Sequence, residues 1–186
     1  TYLGDNQRNY YGDRAPSKLR VKWKTPLGTG RTMLGRTEVT WKGAGWTGQP
    51  LVIRENGEVY LIQPSLSHHV KKIRARDGRV MWSTDMGDVV KGTPTFMDVG
   101  GPAESRYTLI VGSRSGYRAH PRNDPAYSLQ GLSYLTGKKL WRHNSRATLS
   151  NSRDCDASAV VVGSKAAIPL ENGYFTYFSP DVRKAS

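Results

Sequence analysis

Few residue types in this 186-residue chain have the chemistry and spacing to act on a ligand. The adjacent pair His68-His69 would turn its rings to opposite faces at a strand end, so only one could ligate a metal, with His120 or His143 as a distant partner. A turn histidine bonded to backbone is the competing reading. Trp41 and Trp46 stand among glycines in Trp41-Lys42-Gly43-Ala44-Gly45-Trp46, which would let a flat ligand such as a pyranose ring approach and stack on Trp46. Packing against a channel wall would use the same residues. Arg114, followed by Tyr117, Arg118, His120 and Arg122, builds a basic loop able to grip phosphate, carboxylate or an acidic protein. In Arg153-Asp154-Cys155-Asp156 the arginine is a further anion-binding candidate. Asp154 and Asp156 are weak metal candidates, since calcium would need several more oxygens from elsewhere. The ligand-binding candidates are therefore Trp41, Trp46, His68, His69, Arg114 and Arg153, and no residue is assigned as catalytic.

Other chemistries find no motif. The single cysteine, Cys155, excludes an internal disulfide framework, a CxxC redox pair and a Cys-rich zinc site. Its two flanking carboxylates should raise the thiol pKa and discourage nucleophilic use. No G-x-S-x-G elbow, GxGxxG fingerprint or Walker A loop occurs, and Gly28-Thr29-Gly30-Arg31-Thr32-Met33 lacks the third glycine of a dinucleotide site.

The elements that must position these residues are β-strands. Five Trp, ten Tyr, 20 Gly and 10 Pro accompany short β-branched runs, the composition of an all-β chain with many turns. No window holds the roughly 18 apolar residues of a spanning helix. The formal net charge of +13 predicts attraction to polyanions. The basic residues are dispersed and no nucleic-acid-binding motif accompanies them, so specific nucleic-acid recognition is not expected. An acidic protein or an anionic lipid surface would suit the same charge, with salt-dependent association. The chain opens at Thr1 without a basic and apolar leader, so a leader was removed or the chain was trimmed.

A repeat organises the strands. Trp23, Trp82 and Trp141 recur every 59 residues, and both Asp77-Gly78-Arg79-Val80-Met81-Trp82 and Thr136-Gly137-Lys138-Lys139-Leu140-Trp141 place Gly four residues before the Trp. Each of these turns feeds a short strand, with three strands upstream. The first unit carries the hairpin signal Glu55-Asn56-Gly57 between Gln49–Ile53 and Glu58–Ile62. The second pairs Thr93–Met97 with Tyr107–Val111, and the third runs from Ala157 through an Asn172-Gly173 turn to Phe178. Four strands closing on a Trp at a constant period is the arithmetic of a propeller blade.

Thr136-Gly137-Lys138-Lys139-Leu140-Trp141, Val111-Gly112-Ser113-Arg114-Ser115-Gly116 and Gly92-Thr93-Pro94 resemble the quinoprotein-like (PQQ-like) propeller repeat, a likeness that covers roughly residues 18 to 180. The resemblance implies that Trp23, Trp82 and Trp141 dock between blades. It also implies two kinds of function. One is a cofactor-free scaffold, as in outer-membrane assembly propellers. The other is a dehydrogenase that uses pyrroloquinoline quinone and calcium on an alcohol or sugar, commonly with a vicinal Cys-Cys disulfide that this chain lacks.

The expected fold is all-β, a propeller of four-stranded antiparallel blades. All 186 residues belong to one propeller domain: a leading strand at 18–24, blades at 48–84 and 92–143, and a partial blade at 157–180. Three blades fall short of the roughly four to eight of a closed ring, so the missing blades would come from the rest of a longer chain or from another chain. The leading strand suits ring closure. The expected function is a non-catalytic extracytoplasmic scaffold, in the periplasm or at the cell surface, that binds a protein partner or larger assembly and needs no cofactor. The quinoprotein oxidoreductase and a carbohydrate-binding propeller are the alternatives.

Overall fold

The computed structural model describes residues 17–116, 125–146, 148–150 and 152–184. Thirteen strands form four antiparallel sheets among them. A hairpin of β1 (Thr29–Leu34) and β2 (Thr37–Lys42) comes first. A four-stranded meander follows, with β3 (Leu51–Glu55), β4 (Glu58–Pro64), β5 (His69–Arg74) and β6 (Val80–Asp85) in spatial order. The second meander is β7 (Thr95–Asp98), β8 (Tyr107–Gly112), β9 (Leu129–Ser133) and β10 (Lys139–His143), with a one-turn helix α1 (Ala103–Arg106) before β8. The third sheet holds β11 (Val160–Val162), β12 (Lys165–Pro169) and β13 (Phe175–Phe178). This is a β-propeller with three blades and no closed ring in the chain.

Local sequence explains the meanders. Asn56 and Gly57 both take positive φ, 50° and 79°, the two-residue hairpin geometry whose twist matches that of the strands β3 and β4. Alternation then gives each sheet two apolar faces. Leu51, Ile62 and Val70 of the first blade pack on Leu109, Val111, Leu132 and Tyr134 of the second. Ile110 and Leu129 point the other way, onto Ala159, Ala166 and Ile168 of the third. The core is thus divided between the blade interfaces.

A clamp repeats with the sequence period. The Trp82 indole N–H donates to the Tyr134 carbonyl (3.1 Å) and the Thr84 hydroxyl to that of Gly137 (2.6 Å), so the outer strand of one blade grips the last turn of the next. Trp23 and Thr25 grip Ala75 and Gly78 in the same way, at 2.8 and 2.7 Å. Gly78 and Gly137 have φ near +75°, and a Cβ on either would stand 2.7–2.8 Å from the tryptophan ring above it. Trp141 repeats the tryptophan half of the clamp on the third blade. Its indole donates to the Pro180 carbonyl (2.9 Å), and its ring covers Gly131, where a Cβ would lie 2.2 Å away.

Two features differ from the sequence reading. Residues 18–24 join no sheet among the described residues, because no strand runs beside them to take their backbone hydrogen bonds. Trp23 ties them to the first blade through its bond to the Ala75 carbonyl. The sequence reading placed no strand between residues 25 and 47, where β1 and β2 pair from Thr29 with Lys42 to Leu34 with Thr37.

Candidate functional site

The connections between blades and the turns that follow the second strands meet on one face of the molecule. Their backbones interlock in a repeated pattern. The Leu66 N–H donates to Gly43 and Arg114 N–H to Val89, while Val90 N–H donates to Ser65 and Cys155 N–H to Ser113, all within 2.8–3.2 Å. Side chains tie the same layer together: the Thr93 hydroxyl donates to the Gln49 carbonyl (3.0 Å) and Thr95 to that of Ala159 (2.6 Å).

Buried charge is concentrated in this collar. Lys91, from the β6–β7 connection, sits between Asp154, 3.5 Å away, and Asp156, its closest partner. The Arg114 guanidinium lies 3.2 Å from Asp154 Oδ2 and donates through Nη2 to the Met33 carbonyl (2.9 Å). Asp154 is oriented by accepting the N–H of Cys155 at 2.8 Å. Burial first, and then the negative charge of Asp156, push its pKa up to about 6 against the pull of Lys91 and Arg114. Burial and the same two carboxylates push the Cys155 thiol up to about 12. That thiol is a poor nucleophile at neutral pH.

The fold brings Trp41, Trp46, Arg114, Asp154 and Asp156 into one chain of contacts. The Arg114 guanidinium carbon lies 5.6 Å from the Trp41 ring centroid, and Trp41 meets Trp46 edge to face at 5.6 Å and 67°. Trp46 is the solvent-facing member, 72% exposed. Gly45 and Gly48 press on the backbone around Lys91, where a Cβ would come within 2.6–2.7 Å, so these glycines seat the tryptophan loop directly on the charged collar.

His68 and His69 belong to different neighbourhoods. His68, at φ +73°, donates from Nε2 to the Arg31 carbonyl (2.9 Å) and lies 3.8 Å from the buried Asp88. His69 donates from Nδ1 to the Ser67 carbonyl (2.7 Å). Arg153 is buried, with Nη1 3.4 Å from the Ser145 carbonyl. His143 lines a surface cleft with Arg146 and Tyr174, and burial lowers its pKa. Tyr117, Arg118, His120 and Arg122 lie outside the described residues.

The sequence reading passed over Lys91 and Glu171. Lys91 immediately precedes the blade-opening Gly92-Thr93-Pro94, a position that points it at the neighbouring connection, and this was the available signal. Glu171 sits in the tight β12–β13 turn, and its carboxylate lies within 4.8 Å of those of Asp154 and Asp156. The three would make a partial oxygen set for a divalent cation, but the Lys91 ammonium already neutralises two of them.

No family model matches the chain, and no curated protein matches it. Among solved structures, the quinohemoprotein alcohol dehydrogenase ADHIIG from Pseudomonas putida HK5 aligns over 84% of this chain and 21% of its own, with 19% identity and a TM-score of 0.52. BamB from Moraxella catarrhalis aligns over 81% of this chain and 38% of its own, with 16% identity and a TM-score of 0.48. The chain thus spans about a fifth of the dehydrogenase it resembles. At this identity the likeness shows the fold, a β-propeller with four-stranded blades.

Proposed function

We propose that the chain is a non-catalytic, extracytoplasmic propeller scaffold that binds a protein partner or a larger assembly. One observation carries the reading: four charged groups of the collar, Lys91, Arg114, Asp154 and Asp156, are spent on one another. Lys91 and Arg114 neutralise Asp154 and Asp156 and join the blade connections, while the neighbouring thiol is buried and held protonated. What the collar offers to solvent is the aromatic face of Trp46, set in a strongly basic chain, and this suits an acidic protein surface. On this reading the protein needs no cofactor. Trp41 does not offer a parallel slot for a flat quinone, since Arg114 lies beside its ring and Trp46 meets it edge to face.

Purification of the tagged protein from its native extract at low salt tests the proposal. The scaffold should elute with a larger assembly that dissociates as salt is raised, and Trp46→Ala should weaken the association about tenfold. A partner-free, monodisperse chain in native extract would overturn the reading.

A further inference from the structure

A cleft of about 290 Å³ lies where the second blade meets the third, lined by none of the charged cluster of the collar. Nearby the same interface is filled, because Trp141 of β10 meets Phe178 of β13 edge to face at 5.6 Å and 76°. Two residues beyond the tryptophan, alternation returns His143 to the same face of β10, while Thr176 and Tyr174 precede Phe178 on the facing side of the third blade. There the interface opens into the cleft.

Its walls are fixed by bonds that leave donors over. Asn172, 3% exposed, donates from Nδ2 to the Arg146 carbonyl (3.1 Å) and accepts the Tyr174 N–H (3.2 Å). The Thr148 hydroxyl donates to the Asn172 carbonyl (2.6 Å), and Asn144 Oδ1 accepts the Ala126 N–H (3.0 Å). Among the described residues the His143 ring, the Arg146 guanidinium, the Asn144 amide nitrogen and the Tyr174 hydroxyl make no hydrogen bond. No carboxylate is among the described residues that line the cleft. A half-enclosed set of donors with no acid beside it suits an anion.

We propose that this cleft binds the phosphate group of a small phosphate ester, with Arg146, His143 and Asn144 on the oxyanion and the Tyr174 ring against the organic part. The planar guanidinium matches two phosphate oxygens at once. Tyr174, 61% exposed, presents a ring face of the kind on which a sugar stacks. The volume is at the small end for ligand sites, which suits one ring and its phosphate.

Protonation of His143 is coupled to binding. Burial, and then the positive charge of Arg146, lower its pKa, so the ring is neutral at pH 7 in the empty cleft. The other groups around it are engaged elsewhere. Arg142 lies over Tyr127 at 4.2 Å, and the buried Arg153 has Nη1 3.4 Å from the Ser145 carbonyl. Glu171, in the turn of the third blade, accepts the Ser152 hydroxyl (2.6 Å) and stands with Asp154 and Asp156, while the strand partner of His143 on β9 is the apolar Leu129. An oxyanion beside Arg146 cancels the repulsion, and proton uptake then gives the ring a charge-assisted bond to it.

Titration of the whole chain with glucose 6-phosphate at pH 7, followed on the His143 imidazole resonance identified by its loss in His143→Gln, tests the site. The resonance should move saturably, and inorganic phosphate should bind about tenfold more weakly. Arg146→Gln should weaken the ester about tenfold, the loss of one charge-assisted bond. Arg79→Gln removes an exposed cation of the first blade and should leave binding unchanged. Sulfate, whose charge is constant between about pH 5.5 and 8, should raise the His143 pKa on saturation. A His143 resonance that ignores the ester would overturn the proposal, as would a pKa that sulfate leaves in place. Equal losses in Arg146→Gln and Arg79→Gln would overturn it too, by showing attraction to the overall charge of the chain, and equal affinity for inorganic phosphate would remove the ester.

Discussion

At the scale of single residues the collar shows how context converts reactive side chains into braces. Asp154 would be an acid or a metal ligand in an open cleft. Here Lys91 and Arg114 are its counter-ions, and all three side chains are buried. Because burial holds the Asp154 pKa near 6, above its ordinary value, the native state binds the extra proton and this residue's contribution to stability falls as pH rises from about 4 to 6. Lys91 is what makes the ionised form tolerable. Replacing it in Lys91→Met leaves two close carboxylates with less counter-charge, and should cost about 3 kcal/mol at pH 7.5. Chemical denaturation at pH 7.5 and pH 5 would measure it. The deficit relative to wild type should shrink at pH 5, where Asp154 takes up its proton, and a deficit independent of pH would contradict the brace. Sequence reasoning found Arg114, Asp154, Trp41 and Trp46 by type and neighbours, but not that Arg114 joins Trp41 to Asp154, because these contacts span 73 and 40 residues. Lys91 went unremarked because it lies one residue before a turn motif and its partners come from another blade.

At the scale of elements, the repeat was legible wherever both strands of a pair sit within one period. Asn56-Gly57 and the Gly137 turn were readable because each needs positive φ. The β1–β2 hairpin was hidden by glycines at 28, 30 and 35, and the segment 18–24 read as a strand because its alternation is strand-like, although pairing depends on a neighbour that alternation cannot supply. The clamp between blades predicts a difference between two glycines of similar backbone. Gly35 has φ +61° and open space around it, whereas Gly137 has φ +77° and the Trp82 ring 2.8 Å from where a Cβ would stand. Gly35→Ala should cost about 1 kcal/mol for the left-handed backbone alone. Gly137→Ala adds the clash and should cost about 3 kcal/mol. In thermal unfolding the second variant should lose roughly three times as many degrees as the first, and equal losses would show that the clamp is dispensable.

At the scale of the whole molecule, three blades hold together by apolar interfaces and Trp-Thr clamps, and the collar links their connections on one face. The fold is that of a propeller also used by a quinohemoprotein enzyme, but a shared architecture leaves chemistry to the site. The site here spends its charges internally, which is the central claim. A ligand that binds the native state raises the unfolding midpoint by mass action, so thermal unfolding with millimolar calcium and excess pyrroloquinoline quinone tests that claim most directly. The account predicts an unchanged midpoint. A saturable rise that disappears in Asp156→Asn would contradict it and return the collar to cofactor chemistry.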